Sequence, residues 1–126
     1  MTNEANSLRD PAIRIVLLPK DTNANGTIFG GIIMSHIDLA GAVQAKKHTR
    51  ERIVTVAMKE VIFKQPVLVG EVVSFYTSTV RTGNTSVTVS VDVEVFRGGQ
   101  EIKVTEAELT FVAVDKTGQP IPLVGQ

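Results

Sequence analysis

The second half of the chain alternates between apolar and polar positions. Val87, Val89, Val91, Val93 and Val95 are separated by Thr88, Ser90, Asp92 and Glu94. That is the period-two pattern of a strand with one face in a core and one in water. Three more long β-type runs accompany Ser86 to Phe96: Arg52 to Lys64, Glu71 to Arg81 and Glu101 to Asp115. Gly83-Asn84 and Gly98-Gly99 fall where tight hairpins are needed. Gln65-Pro66 and Leu68-Val69-Gly70 part the first run from the second. The alternation slips near Lys59-Glu60 and near Thr105-Glu106, which predicts bulges that bend the sheet. Upstream, Ala12 to Leu18 reads as a short strand closed by Pro19, followed by the turn-rich loop Lys20 to Gly26. Met1 to Asp10 reads as a frayed polar lead and 117–126 as a mobile tail.

Between loop and strands, Thr27 to Lys47 has a different pattern. Gly30 and Gly31 open it, and Lys46, Lys47 and His48 close it, where cations suit the end of a helix dipole. Ile32, Ile33, Met34, Ile37, Leu39, Ala40 and Val43 cover the whole helical wheel. A helix apolar on nearly every face must be surrounded by protein. A flat sheet covers one side of it, a curved sheet covers more, and a second copy of the chain could cover the rest. The expected fold is therefore α+β: one helix gripped by a curled antiparallel sheet, in a single domain spanning 1–126 and assembled as an oligomer.

Composition narrows the function. At 126 residues, 43% hydrophobic and 21% charged, the chain is an ordinary globular domain. Thirteen cations balance thirteen anions, which gives no general reason to expect nucleic acid or an anionic membrane as partner. The absence of cysteine excludes thiolate chemistry and disulfides. Two histidines leave little for a metal site, so none is expected. The polar start lacks the apolar stretch of a secretory signal, and no uncharged run is long enough to span a bilayer. The expected compartment is the cytoplasm.

One residue does not belong in its segment. Asp38 sits within the apolar helix, with no Lys or Arg within four residues. Burying a carboxylate costs several kcal/mol unless it is paired or hydrogen-bonded. Either it meets a distant Arg or a gap in the packing, or it faces a cleft as a general base or nucleophile. Gly30-Gly31 precedes it near the helix start, where N–H groups are unpaired and the dipole is positive. Such N–H groups can polarise a substrate carbonyl, although two glycines also serve simply for a tight entry. His36 points to another side of the helix from Asp38 and reads as a packing residue, His48 as an exposed helix-end residue. Asp92 and Glu94 read as a solvated strand face, as do Glu60, Glu106 and Glu108. No Ser–His arrangement is legible.

With Leu18 to Gly31, which includes Asn23-Ala24-Asn25-Gly26-Thr27, and then Met34-Ser35-His36-Ile37-Asp38-Leu39-Ala40-Gly41-Ala42, the chain resembles the hotdog-fold acyl-CoA thioesterases. The likeness is to the YciA-type bacterial branch, related to the mammalian cytosolic acyl-CoA hydrolases. Arg52 to Ala57, Phe63 to Val67, Val69 to Val73 and Thr110 to Asp115 carry the resemblance through the strands. It implies a hotdog fold, a dimer whose sheets join, further assembly into a hexamer, and active sites at the dimer interface. It implies acyl-CoA as substrate and no cofactor beyond the coenzyme A of the substrate itself. It places a water-activating or nucleophilic role on Asp38, carbonyl polarisation on Gly30 and Gly31, and supporting positions on Asn25 and Thr27. Many relatives carry Asp or Asn where this chain has Thr27, whose hydroxyl can position water but cannot act as a base near neutral pH. Coenzyme A is expected on Lys64 and on the hairpin Arg81-Thr82-Gly83-Asn84-Thr85-Ser86, which offers a cation, turn N–H groups and hydroxyls to a diphosphate. An ordinary Gly-Asn hairpin is the alternative.

Three functions compete at this level: a hydrolase of acyl-CoA, a non-catalytic acyl-CoA-sensing hotdog module, and a hotdog dehydratase. The last would want a catalytic histidine, and His36 lacks the expected surroundings. A pure sensor would not need Asp38. Acyl-chain length depends on how Phe29, Ile33, Met34, Ile37, Val56 and Met58 pack across two chains.

Overall fold

The computed structural model describes residues 9–123. Five strands form one antiparallel sheet: β1 (Ile13–Val16), β2 (Arg52–Phe63), β3 (Val72–Thr82), β4 (Ser86–Arg97) and β5 (Gln100–Val114). Their order across the sheet is β1-β3-β4-β5-β2. The single long helix, α1 (Gly30–Ala45), lies across β3 and β4, and one-turn 3-10 segments stand at Pro19–Asp21 and Lys46–His48. The four long strands begin and end within one residue of the runs read from the sequence. β1 is shorter than its apolar run, since Leu17 has already turned into the core.

The valine stripe of β4 forms the centre of the core. Val87, Val89, Val91, Val93 and Val95 are buried against Ile33, Ile37 and Ala40 of α1. Helix and sheet approach closely at Gly41. A Cβ there would lie 3.1 Å from the Phe111 ring and 3.3 Å from Val89 Cγ2, so glycine allows the contact. The sheet curls through irregularities on three strands. β2 breaks register twice against β5, between Thr55 and Ala57 and between Lys59 and Ile62. Glu60 lies in the second break with φ 56°. The β5 irregularity falls at Val104, one position before the expected slip, and β3 carries another near Thr79 that the pattern did not announce.

Within one chain α1 is covered on one side only. Ile33, Ile37, Ala40, Gly41 and Ala45 are buried, while Phe29 and Leu39 remain 55% and 58% exposed, with Val43 beside them. Strand β2 is an edge of the sheet and also shows Val54, Val56, Ile62 and Phe63 to the outside.

The ends depart from expectation. Residues 1–8 and 124–126 lie outside the described residues, so most of the expected lead and part of the expected tail do too. Arg9 is anchored: its guanidinium bonds Glu94 at 2.9 Å and stacks over Tyr76. Glu94 is therefore covered rather than solvated, and Asp92 pairs with Lys103. The first part of the expected mobile tail folds back. Ile121 N–H donates to Ala113 C=O, and Leu123 N–H donates to Asn84 C=O.

Candidate active site

The entry to α1 is built by side chain–backbone bonds. Asn23 Oδ1 accepts the N–H groups of Asn25 and Thr27, and its Nδ2 donates to Thr27 Oγ1 at 3.1 Å. This is the turn chemistry of an Asx residue. Asn23 was not singled out from the sequence, although its type and its place before Asn25-Gly26 were a readable signal. The Thr27 hydroxyl is engaged within the loop, and Asn25 is exposed. Ile28 N–H donates to Val67 C=O, and Phe29 N–H donates to Asp21 C=O, which fixes the first turn against its surroundings.

At that turn Ile32 and Ile33 N–H fold back on Phe29 C=O. The N–H groups of Gly30 and Gly31 have no acceptor among the described residues. The N-cap, Phe29, supplies no side-chain bond. These are two donors at the positive end of a four-turn dipole, free for an anion or a polarised carbonyl. The Phe63 ring stands 3.4 Å from where a Gly30 Cβ would lie, and the Phe29 ring crowds the corresponding point at Gly31. Beside Gly30 opens a cleft of about 340 Å³, with Ile28, Ile33, Phe63 and Val67 among its walls.

Asp38 is half-buried on the flank of α1 rather than within the core. Thr55 Oγ1, from β2, donates to Asp38 Oδ1 at 2.7 Å. No cation pairs with Asp38 among the described residues, so the reading of a paired distant Arg is set aside. Thr55 is the functional neighbour that the sequence did not reveal. It lies 17 residues away, beside the first β2 irregularity, and only the folded register brings it to the helix.

Gly30 and Asp38 are separated by eight helical residues, about 12 Å along the axis. The free N–H pair and the carboxylate of one chain therefore cannot meet on one substrate carbon. The expected coenzyme A groups spread along β5. Lys64 N–H bonds Val104 C=O at one end of β5, while Ser86 pairs with Val112 toward the other. Eight strand residues separate those points, about 26 Å. The side chains reach back over this span: Arg81 is exposed and stands 4.0 Å from Glu108, and Lys64 stands 3.8 Å from Glu106, two carboxylates about 7 Å apart on one face of β5. In the hairpin, Gly83 N–H is used by Ser86 C=O, while Thr82, Asn84 and Thr85 complete an exposed or half-exposed turn.

The loop that carries Lys64, Gln65 and Pro66 is held from below. Arg97 makes a two-point pair with Glu71 at 2.6 and 2.7 Å, and also donates to Gln65 Oε1 and Pro66 C=O. Hydrogen bonds from Arg97 hold the Glu71 carboxyl below its ordinary value, against the opposing effect of burial. His36 stacks on Phe75 and bonds its own helix through Ile32 C=O, a packing role as expected. His48 is half-buried and contacts Thr79 Oγ1 at 2.8 Å, so it is less exposed than its position suggested. Among the described residues no group of three His, Asp or Glu is placed to hold a metal ion, and no helix is long and apolar enough to cross a membrane.

The helix thus carries bare N–H groups at its start and a carboxylate further along, over a curled antiparallel sheet. Residues 25–102 match the Thioesterase superfamily, and the chain belongs to that superfamily. It is 44% identical over 116 residues to the acyl-CoA thioester hydrolase YciA of Escherichia coli strain K12, covering 88% of each chain. A hexameric hotdog-fold thioesterase of Campylobacter jejuni superposes with a TM-score of 0.86 at 43% identity, covering 91% of this chain and 90% of that one. For a hexameric thioesterase of Yersinia pestis the values are 0.87, 42%, 94% and 98%. The fold is the hotdog fold.

Proposed function

We propose that the protein is an acyl-CoA thioester hydrolase that works as an oligomer, each active site shared between two protomers. The observation that carries this reading is the spacing on α1: an unpaired N–H pair at Gly30 and Gly31, and a Thr55-held carboxylate at Asp38, about 12 Å apart. Two copies of the helix running antiparallel across a two-fold axis would bring the start of one against the middle of the other. The exposed Phe29, Leu39 and Val43 on α1 and Val54 and Val56 on the β2 edge supply the apolar surface for that contact. The hexameric state of the relatives supports a trimer of such dimers.

In this site the thioester carbonyl lies on the Gly30 and Gly31 N–H groups of one protomer. Asp38 of the other takes a proton from water as its oxygen adds to the carbonyl carbon. Collapse of the tetrahedral intermediate breaks the C–S bond, and the proton passes to the departing sulfur. Direct attack by Asp38, with later hydrolysis of the anhydride, uses the same geometry. Thr55 fixes the carboxylate rotamer, and Thr27, held by Asn23, borders the entry together with Asn25. Lys64 and the hairpin 81–86 bind the phosphates of coenzyme A, with Lys64 and Arg81 over neighbouring positions of β5. The reaction needs no further cofactor, and a cytoplasmic location goes with such a substrate.

The test is release of free thiol from a ladder of acyl-CoA chain lengths by the wild type and Asp38→Asn. The expected outcome is hydrolysis by the wild type and a loss of about 10²- to 10⁴-fold in the variant. Because Asn still accepts from Thr55, the melting point should move by less than about 1 kcal/mol equivalent. Tight acyl-CoA binding without turnover in the wild type would favour the sensing module instead.

A further inference from the structure

One wall of the cleft beside Gly30 is a loop. Phe63, Lys64, Gln65, Pro66 and Val67 line the cleft together with Gly30. The loop is tied at both ends. Lys64 and Gln65 N–H share Val104 C=O, and the C=O of buried Val67 accepts Ile28 N–H at the entry to α1. Between those ties Gln65 and Pro66 are exposed, and Pro66 has no N–H to give. Among the described residues, the Gln65 side chain and the Pro66 carbonyl are bonded only by Arg97. Its Nη1 donates to Gln65 Oε1 at 3.0 Å, and its Nη2 donates to Pro66 C=O at 2.9 Å. Glu71 fixes the same guanidinium from behind, accepting from Nε at 2.6 Å and from Nη2 at 2.7 Å. Arg97 is the last residue of β4 and does not itself border the cleft.

We propose that Arg97 is a positioning residue for substrate binding: through Gln65 and Pro66 it holds the cleft wall against the start of α1, and this sets the affinity for acyl-CoA. The inference rests on the hydrolase reading above. With the thioester carbonyl on the Gly30 and Gly31 N–H groups, the wall that shares the cleft with Gly30 contacts the bound substrate. Without the brace, each substrate molecule would have to order an exposed loop, and that cost would be subtracted from binding. The brace needs a fork. Arginine presents its donors in one plane, so Nε and Nη2 grip Glu71 while Nη1 and Nη2 reach the loop. Lysine is a compact charge that can pair with Glu71 but cannot also bridge to both Gln65 and Pro66. The wall moves no proton, so its loosening falls on ground state and transition state alike and shows in KM rather than kcat.

The experiment measures kcat, KM and melting point at neutral pH for wild type, Arg97→Lys and Glu71→Gln. The substrate is the acyl-CoA of the chain-length ladder that the wild type cleaves fastest. Arg97→Lys keeps the charge and the ion pair, so it should melt close to wild type. Its KM should nevertheless rise by roughly fivefold, with kcat within about twofold. Glu71→Gln weakens the pair but still accepts from the guanidinium, which keeps its bonds to Gln65 and Pro66. It should melt lower and retain the wild-type KM. A merely structural role predicts instead that KM follows the melting point through both variants. Wild-type KM in Arg97→Lys would overturn the assignment. Arg97→Gln, which removes the pair and the loop bonds together, should show both losses, and wild-type KM there would count equally against it. A wild type that cleaves no acyl-CoA would refute the hydrolase reading, and the inference with it.

Discussion

A shared active site makes a quantitative prediction about mixed oligomers. Two variants are each expected to be inactive when pure. Asp38→Asn removes the base. Gly31→Val places a branched side chain at a helix start where even a Cβ would fall 2.6 Å from the Phe29 ring. The ring must move, and the side chain intrudes where the carbonyl would approach the N–H groups. Loss of such an oxyanion contact costs about 10²- to 10³-fold in kcat. When the variants are dissociated, mixed in equal amounts and reassembled, half of the dimers are mixed. In a mixed dimer one site draws Asp38 from the Gly31→Val chain and intact glycines from the Asp38→Asn chain. That site is whole, and the other carries both lesions. Random pairing therefore restores about one quarter of wild-type activity, from two proteins that have almost none. The assay is thiol release from one acyl-CoA before and after exchange, with wild type carried through the same treatment. Sites contained within single chains would leave the mixture as inactive as its components. Such a result, with exchange verified by differently tagged chains, would refute the reasoning from the 12 Å helical spacing.

Two further outcomes are expected. The Glu71–Arg97 pair should contribute about 1–3 kcal/mol at neutral pH. Because folding depresses the Glu71 pKa, that contribution is complete above the ordinary carboxylate value and fades as pH falls through the folded one. Melting points of wild type and Glu71→Gln at fixed protein concentration should thus differ at pH 7 and draw together as pH falls below the ordinary carboxylate range, and a constant gap would contradict the assignment. Arg81→Ala should weaken coenzyme A binding in calorimetry without changing the melting point, since Arg81 is exposed and its nearest carboxylate is 4.0 Å away. The loss should shrink as salt is raised, and unchanged affinity would return the hairpin to a purely structural role.

Some of this protein was determined by short-range pattern alone. The valine alternation of β4, the Gly-Asn and Gly-Gly hairpins and the all-apolar helix each express a local period, and the long strands fall within a residue of that reading. Asp38 stood out for the same reason, as a charge against the local grain, and the motifs around it carried the family. Even the separation of Gly30 from Asp38 was present in the sequence, because eight residues of helix have a known length. The remainder depended on contacts between distant segments. Thr55 reaches Asp38 because β2 pairs it with the buried Phe111 on the helix side of the sheet, and a one-residue slip would send it to the opposite face. Arg9 covers Glu94 across 85 residues of chain, and His48 turns inward to Thr79. Lys64 and Arg81 are 17 residues apart in the sequence, and the sheet brings both to one face of β5, at Glu106 and Glu108. Arg97 is one charge among many in the sequence, yet its guanidinium reaches Gln65 and Pro66 across 32 and 31 residues. Which groups a long side chain meets depends on what the other strands and loops present to it, and periodicity along a single strand contains no information about that.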